Sequence, residues 1–263
     1  MLKGKCALVT GSTAGQGRQI AAALAAQGAD IVLNGLGDPD EIEQLRSELS
    51  REHGVAVLYH GANLAEPEQV DAMVRTASEN FSGVDILVNN AVVRHFASME
   101  TYPLDGWQLD LAVNLTAPFL ATRGVLPGMR HKGWGRIINM SSNQGLFGTS
   151  GRVGYVTTKT ALLGLTRATA METAGTMITC NALCPSAMIG LSSESRIEDK
   201  MREEGLSFDD AKARFLAERK ASRFVETIPA VVTFLCSDAG RDITGASIPV
   251  DLGSTAGRPA AGG

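Results

Sequence analysis

The chain has 263 residues, a net charge of -4 at pH 7 and 44% hydrophobic residues. This length allows one large α/β domain or two small ones with a full core, and the acidic balance offers no basic surface to nucleic acid. No apolar run approaches the length of a membrane span, and the run at the N-terminus is too short for a signal peptide. We therefore expect a cytoplasmic protein with neither nucleic acid nor membrane as a partner.

The four cysteines, Cys6, Cys180, Cys184 and Cys236, lie inside apolar runs. Such positions are typical of buried free thiols in a reducing compartment and not of a disulfide framework. No matching histidine cluster accompanies them, so we expect no metal site.

The first element in chain order is a buried strand predicted at Cys6–Thr10. A glycine-rich turn at 11–17 and an alanine-rich helix at Arg18–Gln27 follow it. In a dinucleotide-binding unit the glycines let the backbone approach a pyrophosphate, and the helix N-terminus favours the negative charge. A glycine turn alone is also compatible with a tight connection between packed elements. The strand before it and the helix after it favour the nucleotide interpretation.

Strands and helices keep alternating along the rest of the chain. Further strands are predicted at Asp30–Asn34, Val55–His60, Ile86–Asn89, Arg136–Met140, Met177–Cys184 and Ala246–Asp251. Further helices are predicted at Asp38–His53, Pro67–Phe81, Trp107–Met129, Val153–Thr173 and Glu226–Ser237. Unbroken alternation predicts a single α/β domain whose parallel sheet is covered by helices on both faces.

The stretch Ser186–Arg223 interrupts this alternation. It is charged, contains two glycines and has one helical segment at Asp209–Lys220. An insertion after the carboxyl end of a strand lies on the ligand side of such a sheet, which predicts a mobile lid. A surface decoration is the alternative. The tail at 254–263 is predicted to be flexible.

A serine, a tyrosine and a lysine follow the fifth strand. If a helix begins at Val153, Tyr155 and Lys159 lie one turn apart on one face, and Ser142 at the strand end can face the Tyr155 phenol. The arrangement suits proton transfer to or from an alcohol, because a neighbouring ammonium favours the phenolate that acts as a base. Ordinary helices also carry such pairs, so the remaining motifs have to decide.

The motifs in chain order are Thr10-Gly-x3-Gly-x-Gly17, Asn89-Asn90-Ala91, Asn114, Ser142 and Tyr155-x3-Lys159. In this set the chain closely resembles the short-chain dehydrogenase/reductase family over essentially its whole length. Within the family it looks most like bacterial D-3-hydroxybutyrate dehydrogenases, through the stretches at 25–35 and 172–175. The resemblance implies a doubly wound, Rossmann-type sheet of seven parallel strands and a homotetramer packed through two long helices.

The resemblance also implies a catalytic tetrad. Tyr155 would be the acid/base, Ser142 would hold the substrate oxygen, Lys159 would bind the nicotinamide ribose and favour the phenolate, and Asn114 would position a water for proton relay. The implied cofactor contacts are Gly11, Thr13, Gly15, Gln16, Gly17, Leu36, Asn63, Leu64, Asn90, Ala91, Tyr155, Lys159 and Pro185.

The chain departs from the family pattern at several positions. Valine stands at position 92 and serine at 186, where the family has glycine. The positions that line the hydroxybutyrate pocket carry different residues here: Arg94, Gln144, Arg152, Ala187 and Arg196. Alanine at 187 predicts a larger pocket, and the arginines predict a more anionic substrate than hydroxybutyrate. Arg152 is favoured as a substrate contact because it lies three residues before Tyr155, whereas Arg94 and Arg196 are equally compatible with solvated loop charges.

The expected cofactor is NAD. NADP needs a cation near its extra phosphate, but the segment at 34–41 after the second strand holds three acids and no base. Arg18 is the nearest cation and belongs to the helix start. The sequence therefore predicts an NAD-dependent oxidoreductase for a small anionic hydroxy or keto substrate. The alternatives are a 3-oxoacyl-carrier reductase and a nucleotide-binding regulatory member with weakened catalysis, which Val92 and Ser186 would favour.

Overall fold

A computed structural model of the chain describes residues 1–186, 197, 201–202, 204–219 and 227–257. Seven strands form one parallel sheet in the order β3-β2-β1-β4-β5-β6-β7. They are β1 Cys6–Val9, β2 Asp30–Asn34, β3 Val57–His60, β4 Ile86–Asn89, β5 Gly135–Met140, β6 Ile178–Pro185 and β7 Ser247–Val250. The predicted Rossmann-type α/β fold is therefore confirmed.

Helices cover both faces of the sheet. They are α1 Gly15–Ala26, α2 Pro39–His53, α3 Pro67–Phe81, α4 Leu104–Leu111, α5 Ala117–Lys132, α6 Val153–Glu172, α7 Phe208–Arg219 and α8 Thr227–Cys236. Successive strand side chains point to opposite faces, so Ala7 and Val9 pack into a core with α1, α2 and α8. Leu8, between them, packs into a second core with α3 and α5. Burial on both faces explains why the strands consist of continuous apolar runs.

The strand order reverses between β1 and β4. From β1 the chain builds β2 and β3 on one side and then returns to place β4 on the other side. In open α/β sheets a crevice for ligands forms at this reversal, outside the carboxyl ends of the strands. The glycine turn after β1 and the loop after β4 therefore meet there.

The prediction of one continuous helix at Trp107–Met129 was wrong. The helical segment begins earlier, at Leu104, and a π-helical turn at Ala112–Thr116 separates α4 from α5. Pro118 has no N–H, so the Asn114 carbonyl lacks its α-helical donor. The preceding residue, Ala117, donates its N–H to the Ala112 carbonyl five residues back, where an α-helix would use the carbonyl four residues back. Turns of this kind occur often at functional sites.

Part of the predicted lid, including 187–196 and 220–223, lies outside the described residues. Within its described part, α7 overlaps the helix predicted at 209–220, and Ile197 packs with Ala211 and Phe215. The division into one domain with a lid, the flexible tail, the homotetramer and the cytoplasmic location stay predictions. Light scattering would measure the oligomeric state.

All four cysteines are buried and free, as expected. Within the described residues, no three His, Cys, Asp or Glu side chains gather as metal ligands, and no helix is long and apolar enough to cross a membrane.

Candidate active site

The glycine turn between β1 and α1 lets an anionic ligand group come close to its backbone. Gly11 and Gly15 have φ of +62° and +55°, values that favour glycine. A Cβ at Gly17 would lie 2.1 Å from the Gly11 carbonyl oxygen, so α1 can begin here only with glycine at this position. Ala14 precedes α1 without a capping side chain, which leaves the positive end of the helix available to an anion.

This turn forms one end of a cavity of about 640 Å³. The predicted cofactor contacts that line the cavity are Gly11, Thr13, Gln16, Gly17, Leu36, Asn63, Leu64, Asn90, Ala91, Tyr155 and Lys159. Gly15 and Pro185 do not belong to its lining, although Gly15 begins α1. A glycine turn at one end and the tyrosine at the other suit an extended dinucleotide. The residues present therefore fit a nicotinamide cofactor.

Several lining residues were missed by the sequence reasoning. Asn34, at the carboxyl end of β2, donates through Nδ2 to the carbonyls of His60 and Ala62 and accepts from the Gly11 N–H at 3.4 Å. It thereby ties the loops after β2 and β3 to the glycine turn. The available signal was a polar residue that ends a buried strand at the ligand edge of the sheet.

Tyr155 and Lys159 lie one turn apart on α6, as their spacing predicted. The Lys159 ammonium is buried, donates to the Met140 carbonyl at 2.6 Å and lies 5.8 Å from the centre of the Tyr155 ring. Burial lowers the pKa of Lys159 to about 7, and the charge of Arg94 acts in the same direction. The lysine is thus held by the end of β5 beside the tyrosine.

Ser142 follows β5 and is buried. Its hydroxyl accepts from the Gln144 N–H at 3.1 Å and donates to Asn143 Oδ1 at 3.2 Å. The cavity lining includes its neighbour Ser141, whose hydroxyl donates to the Lys159 carbonyl, but does not include Ser142 itself.

The Asn114 side chain supports the loop after β4. Its Oδ1 accepts from the Val93 N–H at 2.9 Å, and its Nδ2 donates to the Val93 carbonyl at 3.0 Å. Both amide atoms are thus bonded to the main chain, and a role in positioning water stays a prediction. The neighbouring Val92 lines the cavity and has no positive φ, so the backbone does not require glycine there.

The predicted substrate residues occupy different places. Arg94 lines the cavity, with its Cζ 5.4 Å from the centre of the Tyr155 ring. Arg152 instead stacks 4.5 Å over Phe96 and is not part of the cavity lining. Gln144 is not part of that lining either, and its Oε1 is buried without a hydrogen-bond partner. Ala187 and Arg196 lie outside the described residues.

The lowered pKa of Lys159 predicts a pH-dependent stability. An unfolded lysine keeps its proton to about pH 10, so between pH 7 and 10 this residue binds more protons in the unfolded chain, and its unfavourable contribution to wild-type stability decreases as the pH rises. We expect Lys159→Met to gain stability relative to wild type at pH 7 and to lose that advantage towards pH 10. The change is at most about 1.4 kcal/mol per pH unit. Urea unfolding at several pH values measures it, and a pH-independent difference would contradict it.

Comparison with known proteins adds the family context. A family model described as short chain dehydrogenase matches residues 5–200. D-beta-hydroxybutyrate dehydrogenases from Cupriavidus necator and Rhizobium meliloti are 42% and 36% identical; each alignment covers 96% of this chain and 98% and 99% of the relatives. A crystal structure of L-sorbose reductase from Gluconobacter frateurii, complexed with NADPH and L-sorbose, superposes with a TM-score of 0.90 at 29% identity, covering 95% of this chain and 96% of that one.

Proposed function

Because the chain belongs to the short-chain dehydrogenase family, and is therefore an oxidoreductase that acts on CH–OH groups, we propose that it transfers hydride between NAD and a hydroxy or keto acid. The proposal of an anionic substrate is supported by the position of Arg94, whose guanidinium lies over the Tyr155 ring in the cavity. A guanidinium binds carboxylate, sulfonate or phosphate through two parallel hydrogen bonds.

In this proposal Tyr155 removes the alcohol proton during oxidation and returns it during reduction. Ser142 holds the substrate oxygen, and for this its hydroxyl turns from Asn143 towards the cavity. Below its lowered pKa Lys159 is charged and favours the phenolate, and the Met140 carbonyl keeps it in place. The bound nicotinamide supplies the hydride acceptor or donor.

Two alternatives differ in what they predict for an assay. A 3-oxoacyl-carrier reductase would act on a neutral ketone joined to a carrier, so removal of a free acid group from the substrate would not reduce its turnover. A regulatory nucleotide-binding member would show binding without turnover. The ordinary backbone at Val92 removes one reason for favouring this second alternative. NAD reduction with any member of a panel of hydroxy acids, including dicarboxylates and sulfonates, would support the proposal over both alternatives. NADH oxidation with a carrier-bound 3-oxoacyl substrate would then separate the two alternatives from each other.

The preference for NAD over NADP gives a direct prediction. The segment after β2 leads to Asp38, which caps α2 and accepts from the Asp40 and Glu41 N–H groups. This segment carries three acids and no cation that could bind a 2′-phosphate. Arg18 lies 3.4 Å from Glu48, which partly neutralises it. We expect kcat/KM with NAD to exceed that with NADP by about 10-fold or more, the effect of one unfavourable charged contact. Equal or better use of NADP would contradict the assignment.

A further inference from the structure

Asp110 is a carboxylate buried on α4, outside the tetrad. Its side chain is fully buried, and no lysine or arginine of the described chain pairs with it. His95 Nδ1 lies 3.0 Å from one carboxylate oxygen, and the Tyr102 hydroxyl donates to the other. Burying a carboxylate is costly even when it is hydrogen-bonded, which points to a role beyond packing.

Both partners of Asp110 lie in the loop at 90–103, between β4 and α4. The middle of this loop is held by a second, independent contact with the segment before α6. Ala97 forms a β-bridge with Arg152, and the Ala97 N–H donates to the Gly151 carbonyl at 3.2 Å. Arg94 directly precedes His95. The bond from His95 to Asp110 therefore fixes the backbone from which the Arg94 guanidinium reaches the Tyr155 ring.

The same carboxylate also touches the helix of the catalytic tyrosine. A Cβ added at Gly154 would lie 2.1 Å from Asp110 Oδ2 and 2.5 Å from the Tyr102 hydroxyl oxygen. Asp110 and Tyr102 thus pack against the backbone immediately before Tyr155. One buried group contacts both the loop that carries Arg94 and the helix that carries Tyr155.

We propose that Asp110 is a positioning residue for substrate recognition. With His95 and Tyr102 it sets the distance between the Arg94 guanidinium and the Tyr155 hydroxyl. It thereby selects hydroxy acids by the separation of their anionic group from the reacting carbon. This inference rests on the proposed function, because it requires an anion at Arg94.

Two matched pairs of variants test the proposal. Asp110→Asn is compared with Asp105→Asn, which changes an exposed carboxylate on the same helix. His95→Leu is compared with His95→Asn: the two new side chains have the same number of heavy atoms, but asparagine keeps an N–H donor for Asp110. Misplaced recognition groups can cost up to about 100-fold, and we expect Asp110→Asn and His95→Leu to lower kcat/KM for the acid about 3- to 10-fold, mainly through KM. The neutral ester should change less than about 2-fold, and Asp105→Asn and His95→Asn should resemble wild type.

The decisive readout is the same comparison in an Arg94→Ala background. There Asp110→Asn should have no further effect on the acid, because the group that it positions is gone. Equal losses on acid and ester, or a loss that persists without Arg94, would overturn the positioning role. If Arg94→Ala itself affects acid and ester equally, the proposed anion recognition fails, and the positioning role fails with it.

Discussion

Replacing Tyr155 with phenylalanine is expected to lower kcat by about 100-fold or more, the usual effect of removing a general acid–base group. The substitution deletes one hydroxyl and keeps the ring, which packs in the cavity wall beneath Arg94. Affinity for NAD should change little, because most of the cofactor contacts lie in the glycine turn and in the loops after β2 and β3. Steady-state kinetics together with NADH fluorescence titration measure both quantities.

Tyr59→Phe provides the matched control. It also deletes a phenolic hydroxyl that makes a hydrogen bond, in this case to the Gly35 carbonyl, and it lies on β3 away from the tetrad. We expect its kcat to stay within a few-fold of wild type. If Tyr155→Phe keeps activity within the same range, another residue is the base and the proposed mechanism is wrong.

The fold could be predicted from the sequence because its signals are local. Each strand is a short apolar run, and the strand–helix alternation leaves a parallel sheet as the consistent arrangement. The π-helical turn at Ala112–Thr116 was not predicted, since apolar periodicity continues through it. Pro118 was the available signal, because a proline withdraws the α-helical hydrogen bond from Asn114.

The candidate site was predictable only where motif spacing fixes the geometry. Tyr155 and Lys159 share a helix face at any i,i+4 spacing, so their proximity needs no tertiary information. The positions of the arginine side chains depend instead on how the loops pack against each other in the folded protein. The sequence favoured Arg152, one turn before Tyr155, yet its guanidinium turns to Phe96 while Arg94 reaches the tyrosine from a separate loop. The buried Asp110 gave no local signal either, because its partners come from that same loop.

We therefore expect Arg94, and not Arg152, to bind the anionic group of the substrate. Losing a hydrogen bond to a charged group costs about 1.5–3 kcal/mol, so Arg94→Ala should lower kcat/KM for the acid substrate about 10- to 150-fold. Arg152→Ala is the matched comparison, because it removes a guanidinium that stacks on Phe96 outside the cavity lining. We expect Arg152→Ala to have the smaller effect on the acid.

The comparison between an acid and its ester or amide isolates the anion from the other effects of Arg94. The charge of Arg94 also lowers the pKa of Lys159, so its removal raises that pKa and alters the tetrad for every substrate. This second effect is the same for acid and ester, and it cancels in the ratio of their kcat/KM values. Only the bond between guanidinium and anion remains in the ratio, which should therefore fall with Arg94→Ala and stay near the wild-type value with Arg152→Ala. An unchanged ratio for Arg94→Ala would show that Arg94 acts on the tetrad alone and does not recognise the acid.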